Sequence, residues 1–413
     1  MDLAVSRRTM SSKSKAVLAV YLSGLLQGIA LIIFPAAGPL LTDPQFHGLS
    51  SAQFGVLFTP QIAAAIVAST LAARLAARVG MKRILLAGLG FNLAAMLLLA
   101  ASHFAIGAGD AAFAVLLLAT GAVGAGFGLT LTALNAFAFD LFPGRQDSAV
   151  TGLHVLTGTG QVGASLILGL FLGFGIWWGA AVTVGGALLL MILFQLSLPL
   201  RLSSETTQAR MSQADRRIPM RVWLYAASVF LYGACEATFG NWSPIFLERE
   251  AGFSMASAAL GLSIFWASVT AGRVLFAVLA LRVDASLLYV LSPFVVAASF
   301  VALPLAGDML PSLAVLALAG LALSFYFPYS VSLASAEHPH LAAVVSGALV
   351  AAIQLGTGVS ANLVGSAGES LPLSAIFQAS ALYAVAMGAI AIYLRATKQV
   401  TAQLSVLDAH PDK

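Results

Sequence analysis

Apolar residues fill this chain in blocks that are too long and too uniformly apolar for helices on a soluble core. A helix needs about 20 apolar residues to cross roughly 30 Å of hydrocarbon. Runs of that kind lie at 16–41, 51–76, 82–103, 110–142, 147–175 and 178–200, and again at 222–247, 254–281, 285–306, 309–335, 341–367 and 371–395. Short polar or Gly/Pro-marked gaps separate them. One gap differs from the rest: 201–221, RLSSETTQARMSQADRRIPMR, is polar, Ser/Thr/Gln-rich and basic, and it divides six blocks from six. The pattern predicts an all-α membrane protein of twelve transmembrane helices in two six-helix bundles. The first bundle is expected over 1–200, a linker over 201–221, the second bundle over 222–396 and a tail over 397–413. Pro35, Pro60, Pro244, Pro293 and Pro328 fall inside blocks and predict kinks, because proline removes a backbone donor and crowds the preceding turn.

Composition agrees. Of 413 residues, 60% are apolar and 9% charged, where a soluble domain carries about 25% charged residues. The distribution of the few charges then sets an orientation. With the N-terminus inside, every Lys and Arg except Arg249 falls on the cytoplasmic side. The positive-inside rule is satisfied, both termini are expected in the cytoplasm, and a multi-pass protein of a plasma (bacterial inner) membrane is expected. The net charge of +4 comes from helix ends and forms no patch, so nucleic acid is not an expected partner. Arg7-Arg8 resemble part of an export signal, but the run from Ala16 to Leu41 is too long for a signal core and lacks a cleavage site. The single cysteine, Cys235, excludes an internal disulfide; no metal and no cofactor are expected. No P-loop or catalytic-triad spacing is present, so neither a primary pump nor an enzyme is expected.

The two halves repeat weakly. At an offset of 204, Gly48-Leu49-Ser50 matches Gly252-Phe253-Ser254 and Arg78-Val79 matches Arg282-Val283. At 195, Thr151-Gly152 matches Ser346-Gly347, and Gly163 and Ser165 match Gly358 and Ser360. Small residues four apart, Gly124 with Gly128 and Gly169 with Gly173, predict close helix contacts.

The chain's most unusual residue is Glu236, inside the apolar run WLYAASVFLYGACEATFGNWSPIF. A carboxylate in hydrocarbon is costly and marks a functional site by default. It lies 13 residues past Trp223, about 20 Å along the axis. Tyr232, Glu236, Phe239 and Gly240 share one face of a regular helix. Proton coupling is one reading, and a structural acid that fixes packing is the other. Arg273 lies at a similar depth and has three roles open to it: pairing with Glu236, binding an anionic group of a solute, or reaching to the surface. His154 is either a proton relay or a solvated helix-end residue. Gln27, Asn135, Gln161, Asn241 and Gln354 are amides that suit a polar solute, and Trp242 and Trp266 offer stacking surfaces.

Six plus six helices, a basic central loop and the turn Arg78-Val79-Gly80-Met81-Lys82-Arg83 resemble the major facilitator superfamily. Arg78, Gly80 and Lys82 fit its signature between helices 2 and 3; the first Gly is replaced by Ala73 and the Asp by Ala77. The resemblance implies gating roles for Arg78, Lys82 and Arg282. Asp140, Asp147 and Asp284 are the acids available to replace the missing one. Tyr232-Gly233-Ala234-Cys235-Glu236 with Trp242 is similar to helix 7 of the fucose–galactose–glucose proton symporter branch. The first helix lacks the acid of those symporters; its largest polar side chain is Gln27. The expected function is a secondary active transporter, a monomer moving a small organic solute by alternating access, with the proton as coupling ion through Glu236. An efflux antiporter for amphipathic compounds and a receptor-like relative that no longer transports remain open.

Overall fold

The computed structural model describes residues 2–202 and 219–408. Most of the expected linker, 203–218, and the end of the expected tail, 409–413, lie outside the described residues. Among the described residues, twelve helices are long and apolar enough to cross a membrane. They are α1 (Lys13–Thr42), α2 (Ser51–Ala72), α3 (Met81–Ala105), α4 (Asp110–Leu141), α5 (Ser148–Gly173) and α6 (Trp178–Leu196), then α7 (Met220–Arg249), α8 (Met255–Leu279), α9 (Ala285–Leu305), α10 (Met309–Glu337), α11 (Val344–Ala367) and α12 (Leu373–Thr397). An even number of crossings leaves both ends of the chain on one face, called here the terminal face; the other is the far face.

The first six helices pack on one another, as do the last six. The two sets meet where α5 packs on α8, and where α2 packs on α11. Each set is drawn together by glycines at helix crossings. A Cβ at Gly28 or Gly160 would overlap the backbone carbonyls of Thr157 or Leu25, so α1 and α5 touch main chain to main chain. Gly233 and Gly356 do the same for α7 and α11, against Ile353 and Phe230. Gly124 meets the Gln61 carbonyl between α2 and α4, and Gly320 meets the Phe265 carbonyl between α8 and α10. Without hydrophobic drive between helices in lipid, such close van der Waals contact holds bundles together.

These crossings reveal the repeat in three dimensions. An offset of 204 carries Gln61 to Phe265, and 196 carries both Gly124 to Gly320 and Gly160 to Gly356. The first expected offset agrees; the second is 196 and not 195. Small residues recur often enough in α5 and α11 to match one position out of register, whereas a backbone crossing admits one glycine only. The expected contact at Gly169 and Gly173 is also corrected. A Cβ at Gly169 would find ordinary contact at 3.8 Å, and one at Gly173 would find open space.

The prolines behave by position. Pro35 precedes a break in α1 at Ala37, Pro60 follows one in α2 at Leu57, and Pro328 follows one in α10 at Ser324–Phe325. In α7, Pro244 follows a π-helical turn, Thr238–Trp242. The ring cannot donate to the preceding turn, and a π turn absorbs the defect by adding one residue. Pro293, expected to kink α9, sits inside an unbroken helix from Ala285 to Ala302.

Candidate functional site

The π turn defines the site, because it ends the regular face on which α7 has carried its polar residues. Before the turn, Arg221, Tyr225, Ser228, Tyr232 and Glu236 follow one another at spacings of 4, 3, 4 and 4, a single stripe running about 22 Å from the terminal face. At its deep end Tyr232 donates to Glu236 Oε1 at 2.7 Å. Tyr232 is fully buried while Glu236 is partly accessible, so the carboxyl is held by its own helix on one side and open on the other. Within the turn, Phe239 and Gly240 face the second bundle, as the stripe predicts. Phe239 is buried and stacks on Phe300 of α9, with centroids 4.2 Å apart, and so belongs to the interior of the second bundle. Gly240 faces Trp266 of α8.

Arg273 does not pair directly with Glu236 in this structure. Its Nε donates to the Ser324 carbonyl at 3.4 Å, at the break in α10. Its charge nevertheless reaches Glu236 on one side and His154 of α5 on the other. The break supplies a carbonyl with no helical donor, which explains why an arginine lodges there.

The expected amides divide. Gln27 is fully buried, and its Oε1 accepts from Asn92 of α3 at 2.7 Å while its Nε2 has no partner. Asn135 Oδ1, Asn241 Nδ2 and the indole nitrogens of Trp242 and Trp266 are also buried without partners. Buried polar atoms are normally satisfied, so these atoms hold bonding capacity that the described residues leave unused. Gln161 and Gln354 are half-buried in α5 and α11. Trp242 is not presented to a cavity: its ring is fully buried against Phe54 of α2, centroids 5.2 Å apart.

The Phe54–Trp242 contact belongs to a closure between the bundles near the far face. Arg249 of α7 donates to the Thr42 carbonyl at the end of α1. Asn362 of α11 donates to Thr59 of α2 at 2.9 Å, and Gly55 of α2 abuts the Ala361 carbonyl. Deeper in the membrane, Ser263 of α8 donates to the Val162 carbonyl of α5 at 3.3 Å. Outside the spans, Glu369 accepts from the Ala52 N–H at 2.7 Å, in the first turn of α2. An N-terminal turn offers free donors and a favourable dipole to a carboxylate. The expected gating residues lie elsewhere. Arg78 and Arg282 are exposed, Asp140 is half-buried at the end of α4, and Lys82 donates within its own bundle to the Leu198 carbonyl at 2.6 Å.

Glu369 yields a pH prediction. The Ala52 N–H, helped by the Ser50 hydroxyl, holds its carboxyl below the usual range. A depressed carboxylate contributes to closure above the ordinary Glu value of about 4.3. That contribution disappears as the pH falls through the depressed value. Spin labels at the exposed positions Gln45 and Ser370 should separate in Glu369→Ala at pH 7, and in the unsubstituted protein only in acid. Equal separations in both proteins at both pH values would show that this clasp holds nothing.

Sequence reasoning passed over Glu369, Tyr225 and Ser228. The stripe on α7 was legible as spacing; the cross-bundle partner of a loop glutamate was not.

Comparisons with known proteins point one way. The model of the Major Facilitator Superfamily matches residues 16–361. No curated protein matches the sequence. Among solved structures, the fold is similar to a D-xylose-proton symporter, at a TM-score of 0.75 and 16% identity over 93% of this chain and 97% of that one. It is also similar to a point mutant of the nucleoside transporter NupG, at 0.74 and 15% over 92% and 99%. A bacterial homolog of the lysosomal transporter Spinster, inward-facing and occupied, matches at 0.70 and 16% over 94% and 97%.

Proposed function

Because the chain belongs to the Major Facilitator Superfamily, we propose that it is a secondary active transporter that moves a small polar organic solute by alternating access and couples it to protons through Glu236. The family makes it a membrane transporter and not an enzyme. The observation that carries the finer reading is the environment of Glu236: a carboxyl clamped by Tyr232, with an open side and the Arg273 charge within reach. A carboxyl so placed can exchange a proton when the Arg273 charge approaches or withdraws, and solute and proton are thereby linked.

The unpartnered Gln27, Asn135 and Asn241 amides and the Trp266 indole favour a solute rich in hydroxyls. They offer both donors and acceptors, and a neutral polyol-like molecule needs both. Neighbours named for D-xylose–proton symport and for nucleoside transport make pentoses and nucleosides the first compounds to test. Closure near the far face corresponds to a state open toward the terminal face. On this reading the terminal face, which carries the basic residues, lies on the cytoplasmic side of a bacterial inner membrane, and the transporter acts as a monomer.

The test uses purified protein in proteoliposomes loaded with a pH-sensitive dye and offered pentoses, hexoses, nucleosides and polyols. At least one solute should move protons in its own direction, which makes the protein an uptake symporter. Opposite directions would make it an efflux antiporter. Proton movement and counterflow absent for every solute would sink the transport reading.

A further inference from the structure

We infer that His47 is a proton-sensitive latch on the far face: neutral, it ties the α1–α2 loop to the ends of α3 and α6, and protonated, it releases that loop and loosens the closure between the two bundles. This goes beyond the transport reading and does not depend on the role of Glu236.

The loop between α1 and α2, residues 43–50, is a tight turn. The Phe46 and Gly48 N–H groups both donate to the Asp43 carbonyl at 3.0 Å, and the Leu49 N–H closes the neck on the Leu41 carbonyl at 2.9 Å. Just beyond its ends lie two first-bundle partners of the far-face closure. The Thr42 carbonyl accepts from Arg249, and the Ala52 N–H donates to Glu369. A turn with so many internal bonds moves as one piece, so a displacement at His47 is passed to Thr42 and Ala52 and is not absorbed within the loop.

His47 holds this piece against the rest of the first bundle. Its Nε2 lies 3.2 Å from the Ser102 carbonyl oxygen and 3.0 Å from the Ser102 hydroxyl oxygen, at the end of α3. A carbonyl only accepts, and the Ser102 hydroxyl gives its own hydrogen to the Leu99 carbonyl at 2.7 Å. Nε2 therefore carries the proton of the neutral ring, and Nδ1 carries the lone pair. Nδ1 is buried without a partner. The ring stands edge-on to Trp177, the residue before α6, with centroids 5.5 Å apart, and Trp177 is itself 3% exposed. His103 meets the same indole from α3 at 5.8 Å.

A second proton would have to enter at Nδ1, where it finds no acceptor among the described residues. A buried donor left unbonded is costly, and a buried charge more so. Burial pulls the His47 imidazole below the usual range; the Ser102 bond opposes this and His103 adds to it. The titratable and charged groups around it are few. His103 comes from α3, and α6 presents the neutral Trp177. On its own loop Asp43 is engaged by the Gln45 N–H at 2.7 Å. From the second bundle, Arg249 and Glu369 reach the ends of the loop, with Glu248 beside Arg249. The neutral ring therefore contributes in full to closure above the ordinary histidine value of about 6.5. That contribution is lost as the pH falls from there through the lowered value. The Glu369 clasp fails only below about 4.3, so the interval between the two belongs to His47.

The test needs no solute. Spin labels at the exposed positions Ala108 and Ser370 report the gap between bundles, and labels at Gln45 and Ala108 report release of the loop, in nanodiscs that open both faces to the buffer. Between pH 7.5 and pH 5 both distances should lengthen, with the open-to-closed ratio rising at least about tenfold. His47→Gln keeps a donor at the Nε2 position and cannot take up a proton, so it should stay closed at both values. His47→Lys carries the charge throughout and should be open already at pH 7.5. A purely structural role would move both variants the same way, and that result overturns the latch. So does a transition that persists in His47→Gln, or distances in the unsubstituted protein that do not change. His103→Gln and Glu236→Gln should both retain the transition; its loss in either one, with His47→Gln still responding, assigns the sensor elsewhere.

Discussion

Glu236→Gln should abolish accumulation of solute driven by a pH gradient while leaving solute–solute exchange in place. Glutamine preserves the shape of the side chain and still accepts from Tyr232, so the π turn and the packing of α7 are retained. What it cannot do is change charge. Exchange of one solute molecule for another requires only the rocking of two bundles around a site, whereas net uphill movement requires a group that binds and releases a proton once per cycle. The expected loss of coupled flux is at least about 100-fold, the range in which a positioned proton-transfer group acts. The measurement compares accumulation on an imposed pH gradient with counterflow in the same vesicles. A variant that still accumulates solute on the gradient would remove Glu236 from the coupling role. The first helix, α1, offers Gln27 and no acid to replace it.

The second large effect lies in the scaffold. Gly356→Ala should destabilise the second bundle severely. A Cβ there overlaps the Phe230 carbonyl oxygen and stands 2.8 Å from its carbon, and a backbone carbonyl cannot turn aside as a side chain can. Overpacking typically costs 1–3 kcal/mol, and α7 and α11 would have to separate along their whole crossing to relieve it. Since α7 carries Glu236 and α11 contacts the first bundle, transport should fall along with the thermal midpoint. Gly347→Ala in the same helix is the control: its Cβ enters open space, and the gain in helix propensity, about 1 kcal/mol, should leave the midpoint equal or higher. Two variants that melt together would refute the close-crossing account.

Both predictions separate two kinds of residue. Glycines at crossings set how near the helices come, and one misplaced methyl acts on an entire bundle. Glu236, in the coupling role proposed for it, acts on the cargo and not on the packing, and its loss should spare the fold. The far-face contacts of Arg249, Asn362 and Glu369 form a third set, which the proposed alternating access would break in every cycle; they are polar, and water can replace their bonds at modest cost.

The division between chain and fold is clear at single residues. The number of crossings, their pairing into six and six, and the anomaly of Glu236 are written in the order of apolar and polar residues, because hydrocarbon leaves a spanning segment almost no alternative to a helix. The stripe Arg221–Tyr225–Ser228–Tyr232–Glu236 is equally local, a matter of periodicity along one helix. The π turn at Thr238–Trp242 is not written in the periodicity, and a register counted at 3.6 residues per turn does not carry across it. Pairing between helices was decided by the tertiary structure alone. Arg273 and Glu236 lie at similar depths, yet the break in α10 offers the arginine a carbonyl instead. Gly169 and Gly173 have the spacing of a contact and meet no close neighbour, while Glu369, an ordinary loop acid in the sequence, closes the far face by capping α2. Depth and periodicity belong to one helix and can be counted along it; partners depend on how helices rotate and cross, which is a property of all twelve together.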